Sequence, residues 1–354
     1  MIPVTLSPQA LKSLLIQEAL ALGFDSVRIT RPDLRGASRR LEDWLAAGYH
    51  GEMDFMRQHA ALRADPDALH PGTLCVISVC MPYLSTTLAE AEGTLSDSRR
   101  GYISRYALGR DYHKVLRARL QQLARTLEQQ WGPFNYRVFT DSAPVLEVEI
   151  ASQGGLGWRG KHTLLLRRES GSFFFLGEIY TDLPLPIDPP VGEHCGSCQS
   201  CIDICPTQAI LGPYRLDAQR CISYLTIELK GSIPEPLRPL IGNRIYGCDD
   251  CQLVCPWNRF AQQSPIPDFA PRATLQSDQL VALFSWEEAQ FNDRLAGSPI
   301  RRIGYERWLR NIAVALGNGP PAHPAAVAAL TQRQNHPSAL VREHVNWALR
   351  RLSE

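Results

Sequence analysis

Four of the ten cysteines fall in HCGSCQSCIDICP, residues 194–206. Cys195, Cys198, Cys201 and Cys205 are spaced C-x-x-C-x-x-C-x-x-x-C and are followed by Pro206. Bacterial ferredoxins hold a 4Fe-4S cluster with this run, and its fourth cysteine serves a second cluster. More thiolates are therefore required. CDDCQLVCPWN supplies Cys248, Cys251 and Cys255 ahead of Pro256, and RCISYL supplies Cys221. By the crossed rule Cys195, Cys198, Cys201 and Cys255 hold one cube, and Cys205, Cys221, Cys248 and Cys251 hold the other. The short steps let one loop wrap a cube with backbone amides aimed at its sulfurs. Two four-cysteine zinc sites would need only paired C-x-x-C, which leaves the third cysteine and both Cys-Pro endings without a reason. Cys75 and Cys80, in the apolar run TLCVISVCMPY, read as buried filling.

The surrounding chain has 354 residues, enough for two or three domains, with ordinary charged (21%) and hydrophobic (44%) fractions. The start MIPVTLSPQALKSLL lacks the basic-then-apolar pattern of a secretory signal, and no apolar run approaches the ~18 residues of a membrane helix. A cytoplasmic location is expected, where clustered cysteines favour metal over disulfides. With a net charge of +1, any polyanionic partner must be met by local basic patches.

An α+β multidomain fold is expected. Residues 1–183 alternate helix and strand, a pattern that fits an α/β or an α+β layer structure, with an α/β domain as the expectation. Ser7-Pro8 caps a first helix that Gly23 ends, SVRIT is a strand, and RRLEDWLAAGYHGEMDFM reads as one helix. TLCVISVCMPY and NYRVFTD are strands around the amphipathic helix RDYHKVLRARLQQLARTLEQQW. HTLLLRRESGSFFFLGEIYT reads as a hairpin turning at Ser170-Gly171. Two proline-rich stretches, DLPLPIDPPVGEH and QQSPIPDFAPRA, bracket a ferredoxin-like module at 184–262. Residues 263–354 carry two similar helical units of HEAT-like character, RRIGYERWLRNIAVALGNG and HPSALVREHVNWALRRL. In the second, Val341, Val345, Ala348, Leu349 and Leu352 share a face. So few repeats cannot bury their faces alone, so this piece should dock on the rest of the chain.

A ferredoxin module alone carries electrons, and the long region before it suggests delivery to a reaction. That region has no dinucleotide fingerprint, because GGLGWRG breaks the G-x-G-x-x-G order. DYHKVLR is superficially similar to the D-x-H-x-x-G loop of some cobalamin proteins, but Leu116 stands at its glycine. His113 therefore reads as an ordinary helix-surface histidine. Asp141, ahead of SAPVLEVEIA with Pro144, reads by itself as a helix N-cap.

SRYALGRDYHKVLR, TDSAPVLEVEIASQGGLGWRGKHTLLL, GSFFFLGEIYTDL, the cluster cysteines, RCISYLT and IGNRIYGCDDCQLVCPWN together resemble the epoxyqueuosine reductase family. The likeness covers nearly the whole chain and makes residues 1–183 the cobalamin-binding domain. It implies a cobalamin-dependent iron–sulfur oxidoreductase that removes the epoxide oxygen of epoxyqueuosine at the wobble position of tRNA, in the last step of queuosine synthesis. An external low-potential donor supplies the electrons. The resemblance makes Asp141 the proton donor; an aspartate, ordinarily near 3.9, would have to be desolvated or held beside negative charge to be protonated at neutral pH. It also places corrin contacts at Arg63, Asp141, Leu165, Leu176, Ile179, Ser223, Cys248 and Asp249. No histidine presents itself as an axial ligand. The Cys205 set would lie nearer cobalt, and the Cys195 set would receive electrons.

Phosphate contacts are expected from Arg301, Arg302, Arg307 and Arg310, with Tyr305 and Trp308 as stacking surfaces, and from Lys230, Arg238 and Arg244. A monomer is the default, because the tail caps its own chain. Two rival readings are a reductive dehalogenase-like corrinoid reductase of a small molecule, and a non-catalytic ferredoxin-type carrier.

Overall fold

A computed structural model describes residues 7–275 and 279–353. The opening helix runs Pro8–Ala21, and Ser7 Oγ accepts from the Ala10 N–H as its cap. Gly23 ends it in a left-handed conformation (φ 84°). The expected helix over 39–56 is broken. It runs Arg35–Ala46 and resumes only at Asp54–Gln58, because Gly48 and Gly51 take positive φ. A Cβ on Gly51 would collide with the Tyr224 hydroxyl, so this turn is fitted to the cluster segment.

A four-stranded sheet has the order Ser26–Thr30, Cys75–Pro82, Phe174–Thr181, Tyr136–Thr140. Every neighbouring pair in this sheet is antiparallel, so of the two layer structures it is the α+β one. One face packs against the helices Pro8–Ala21 and Tyr112–Trp131, joining Leu11, Leu15, Leu116, Leu120 and Leu127 to Ile29, Ile77 and Ile179. Over the other lies the short helix Glu147–Gln153, with Ile150 and Ala151 against Val76, Cys80, Leu176 and Tyr180. Cys75 and Cys80 are core filling, as expected.

The expected hairpin at 162–181 is only a single bridge, Arg167 to Gly171. Leu165-Leu166 pairs instead with Trp158-Arg159. A Cβ on Gly171 would overlap Asn258 Oδ1, which also accepts from the Ser172 N–H at 2.6 Å. Contact with the cysteine segment therefore outweighs continuation of the hairpin.

The tail helices Tyr305–Gly317, Pro324–Gln332 and Ala339–Ser353 do dock on the chain. Val341, Val345, Ala348 and Leu352 share one core with Ile222, Leu225 and Ile245 of the cluster segment and with Ile103 and Ala107. Arg310, 0% exposed, is a fastener here: it donates to the carbonyls of Leu225 (2.7 Å), Leu229 (2.8 Å) and Gly231 (2.7 Å). Arg310→Ala leaves those acceptors buried and unpaired and is expected to cost about 3 kcal/mol in a denaturant titration. Exposed Arg301→Ala should stay within about 0.5 kcal/mol.

Candidate active site

The cysteines gather as two sets of four. Cys195, Cys198, Cys201 and Cys255 line a cavity of about 230 Å³ with His162, Trp257 and Phe260. Cys205, Cys221, Cys248 and Cys251 line a second, of about 430 Å³. The space beside the Cys195 set is larger than a lone zinc bonded to four sulfurs at about 2.3 Å requires. A cube requires more. Gly247 (φ 70°) turns the chain into Cys248, and a Cβ there would lie 2.6 Å from that of Ser104. The Ala209 N–H donates to Cys205 Sγ at 3.2 Å.

His162 supplies a further test of fit, since it is 4% exposed and lines both cavities. Its Nδ1 accepts from the Leu164 N–H at 3.2 Å, and burial pushes the imidazole down to about 4. Nε2 therefore carries the hydrogen, and it has no partner among the described residues. A cluster sulfur is an acceptor that suits it.

Besides the Cys205 set, the second cavity is lined by Asp141, Tyr112, Glu147, Val148, Leu165, Phe175, Leu176 and Ser223. It meets an adjoining cavity of about 690 Å³ at Glu147, Val148, Thr163 and Leu216. Asp141 is no N-cap; the following helix starts at Glu147, capped by Leu146. It stands just past the strand Tyr136–Thr140 with φ 24°, a strained conformation that Asp tolerates better than most residues.

Nor is His113 an idle surface residue. Its Nδ1 lies 2.8 Å from Asp111 Oδ1 and its Nε2 3.2 Å from Asp141 Oδ2. Tyr112 stacks on Phe175 at 4.1 Å, and its hydroxyl donates to Asp141 Oδ2. Burial works to lower the His113 imidazole, but the two carboxylates outweigh it and hold it up to about 9. Burial works to raise Asp141, but the hydrogen bonds from His113 and Tyr112, with the charges of His113 and Arg302, bring it below the ordinary carboxylate range. This corrects the expectation of a protonated aspartate. At neutral pH the shared proton rests on His113, with Asp141 between it and the cavity.

Of the residues that the resemblance assigns to the corrin, Leu165, Leu176, Ser223, Cys248, Asp249 and Asp141 line this cavity, whereas Arg63 and Ile179 do not. Arg63 is buried and donates to the carbonyls of Phe55 and Met56 at 3.2 and 3.3 Å. Ile179 faces the opposite side of the sheet. The Asp249 carboxylate is used internally, accepting from Tyr102 Oη, Ser104 Oγ and the Arg105 N–H at 2.7, 2.5 and 2.7 Å.

Of the basic set, Lys230, Arg301 and Arg302 are exposed and Arg307 is half-buried. Arg310, Arg238 and Arg244 are not phosphate contacts. Arg238 is 2% exposed and bonded to the Ile233 carbonyl and Glu343; Arg244 is paired with Asp250 at 2.7 Å. Trp308 is 0% exposed and stacks on Trp286, so no base reaches it. Arg302 instead reaches the reaction site, with Nη1 3.4 Å from His113 Nε2.

Comparison with known proteins agrees with this geometry. Residues 63–142 match the family model described as Epoxyqueuosine reductase QueG, DUF1730, and residues 194–258 match a 4Fe-4S double cluster binding domain. The epoxyqueuosine reductase of Pseudomonas aeruginosa is 58% identical over 334 residues, 94% of this chain and 92% of the relative. A crystal structure of epoxyqueuosine reductase with an epoxyqueuosine-modified tRNA stem loop superposes with a TM-score of 0.89 at 29% identity, over 98% of this chain and 92% of that one. An epoxyqueuosine reductase from Bacillus subtilis, solved with an aspartate-bearing catalytic loop swung out of the active site, gives 0.88 at 29% identity, over 98% and 92%. With likeness at this level over more than nine-tenths of both chains, this chain belongs to the epoxyqueuosine reductase family.

Proposed function

We propose that this protein reduces the epoxide of epoxyqueuosine in the anticodon loop of tRNA to the alkene of queuosine. Eight cysteines hold two 4Fe-4S clusters, and cobalamin occupies the joined cavities. One observation carries this reading: a single cavity is lined by four cysteines and by Tyr112 and Asp141, with His113 bonded to Asp141 behind it. An electron carrier has no use for that acid group.

Leu165, Leu176 and Ser223 would bound the corrin beside the Cys205 set. Cobalamin, when bound, supplies a reduced cobalt that delivers an electron pair. The chain's part is to hold the substrate, keep water out and place protons. Asp141 faces the cavity and passes to the epoxide oxygen a proton held with His113, while Tyr112 Oη fixes the carboxylate. Electrons from an external low-potential donor would arrive at the Cys195 set, where Cys198 is exposed.

The tRNA would lie across Arg301, Arg302 and Lys230, on a tail read as HEAT-like, and the single chain would act where tRNA is, in the cytoplasm. The target base stands in a loop, which lowers the cost of placing it in a deep site. Arg302→Ala should weaken tRNA binding and reduce the salt dependence of log K by about one phosphate's worth, measured by titration at several salt concentrations. Protein purified without oxygen and offered cobalamin should show corrinoid bands beside the iron–sulfur absorption. It should then convert tRNA from cells lacking this protein, as read by nucleoside mass analysis. Failure of that conversion would refute the proposal.

A further inference from the structure

Turning an epoxide into an alkene takes two electrons and two protons, and both protons end on one oxygen, which leaves as water. An acid placed at that oxygen must therefore deliver twice in one turnover. Asp141 and His113 share a single hydrogen-bonded proton, so it must be recharged while the substrate still fills the cavity.

We propose that Glu147 holds this second proton and recharges Asp141 from within the same cavity. This rests on the epoxide reduction proposed above. Glu147 opens the helix over the sheet and lines the cavity that Asp141 lines. Its carboxyl has no hydrogen-bond or ion-pair partner among the described residues. Beneath that helix Glu178 is 0% exposed, with both oxygens unpartnered, beside Ser78, whose hydroxyl is also unpartnered. Glu178 is sealed from water and Glu147 is partly buried, so with Asp141 ionised beside them the two are driven toward their neutral forms.

The groups facing Glu147 are Asp141, His113, Tyr112 and Glu178. In the adjoining cavity Arg40 is taken by Glu149 at 2.6 Å, and Arg159 Nη2 donates to the Tyr214 carbonyl at 3.4 Å. None of the nearby cations among the described residues pairs with Glu147: Arg302 lies against His113 and acts on Asp141, Arg159 donates to a carbonyl, and His113 is held between Asp111 and Asp141. Burial, then the charge of Asp141, push Glu147 up to about 8, and the same causes with Glu147 push Glu178 higher. Glu178 keeps its proton; Glu147 is poised to part with it.

The sequence balances. As the first C–O bond breaks, the proton shared by Asp141 and His113 passes to the oxygen, giving a hydroxyl. With His113 now neutral, Glu147 protonates the Asp141 carboxylate, which passes that proton to the same oxygen. The second C–O bond breaks, the alkene forms and water leaves. Both electrons come from the low-potential donor through the clusters, and Glu147 is reloaded from solvent once the tRNA has gone.

Gln has the shape of a protonated Glu, so E147Q preserves a structural role and removes only the proton. In the cofactor-loaded protein kcat should fall by about tenfold or more with KM for tRNA unchanged. Wild-type kcat should decline as pH rises through about 8, and in E147Q this limb should move toward the value of His113, about 9. Infrared spectra at neutral pH should show a protonated carboxylic acid band that loses intensity in E147Q, whether or not turnover occurs. Unchanged kcat in E147Q, or an unchanged band, overturns the proposal. Wild-type protein that shows the band yet reduces no epoxyqueuosine overturns instead the activity on which it rests.

Discussion

Asp141→Ala is expected to lower kcat by about 10²- to 10⁴-fold, the usual worth of a positioned acid, without loss of iron or of corrinoid absorption. Asp141 lies between the His113 imidazolium and the cavity, with Nε2 at 3.2 Å, and receives the Tyr112 hydroxyl. Alanine cuts this path, and His113 loses one of the two carboxylates that keep it charged. Asp141→Asn is the sharper variant, since the amide oxygen can still accept from Tyr112 but can relay no proton. Titration of His113 should then shift down from about 9 toward its ordinary range, readable by NMR. In the wild type the shared proton is present below about 9 and lost above it, so activity must fail on the alkaline side. Full activity in Asp141→Ala would remove the aspartate from the mechanism.

The second large effect concerns the cysteines. If Cys195 and Cys255 serve the same cube, the double variant Cys195→Ala/Cys255→Ala loses no more iron than either single variant, falling from about eight to about four per chain. Uncrossed ligation would cost the double variant both clusters, leaving almost none. The cavities favour the first outcome, because Cys255 lines the space that Cys195, Cys198 and Cys201 line, while Cys248 and Cys251 turn to the other. Iron assay with low-temperature EPR of the reduced proteins distinguishes the two. Substitution in the Cys205 set should also stop turnover, since that set shares its cavity with Asp141.

Features set by neighbours along the chain are legible in the sequence. Cysteine steps of two and three residues fix a cluster loop, Ser7-Pro8 starts a helix by local hydrogen bonding, and Val341, Val345, Ala348 and Leu352 define a buried stripe by period. Where glycine contacts are long-range, local reading fails. Gly51 against Tyr224 breaks a helix, and Gly171 against Asn258 opens a hairpin. Charge is the least legible. Arg301 and Arg310 look alike in sequence, yet one is exposed and the other is sealed among three carbonyls.

The amino-acid order alone pointed to a double-cluster iron–sulfur domain and to one enzyme family, because both signals reside in residue types at short, fixed spacings. Only the tertiary structure decided which carboxyls keep protons. Ionisation depends on solvent and on charges brought near through space, and His113, Asp141, Glu147 and Glu178 come from four different elements, the last of them 37 residues beyond Asp141.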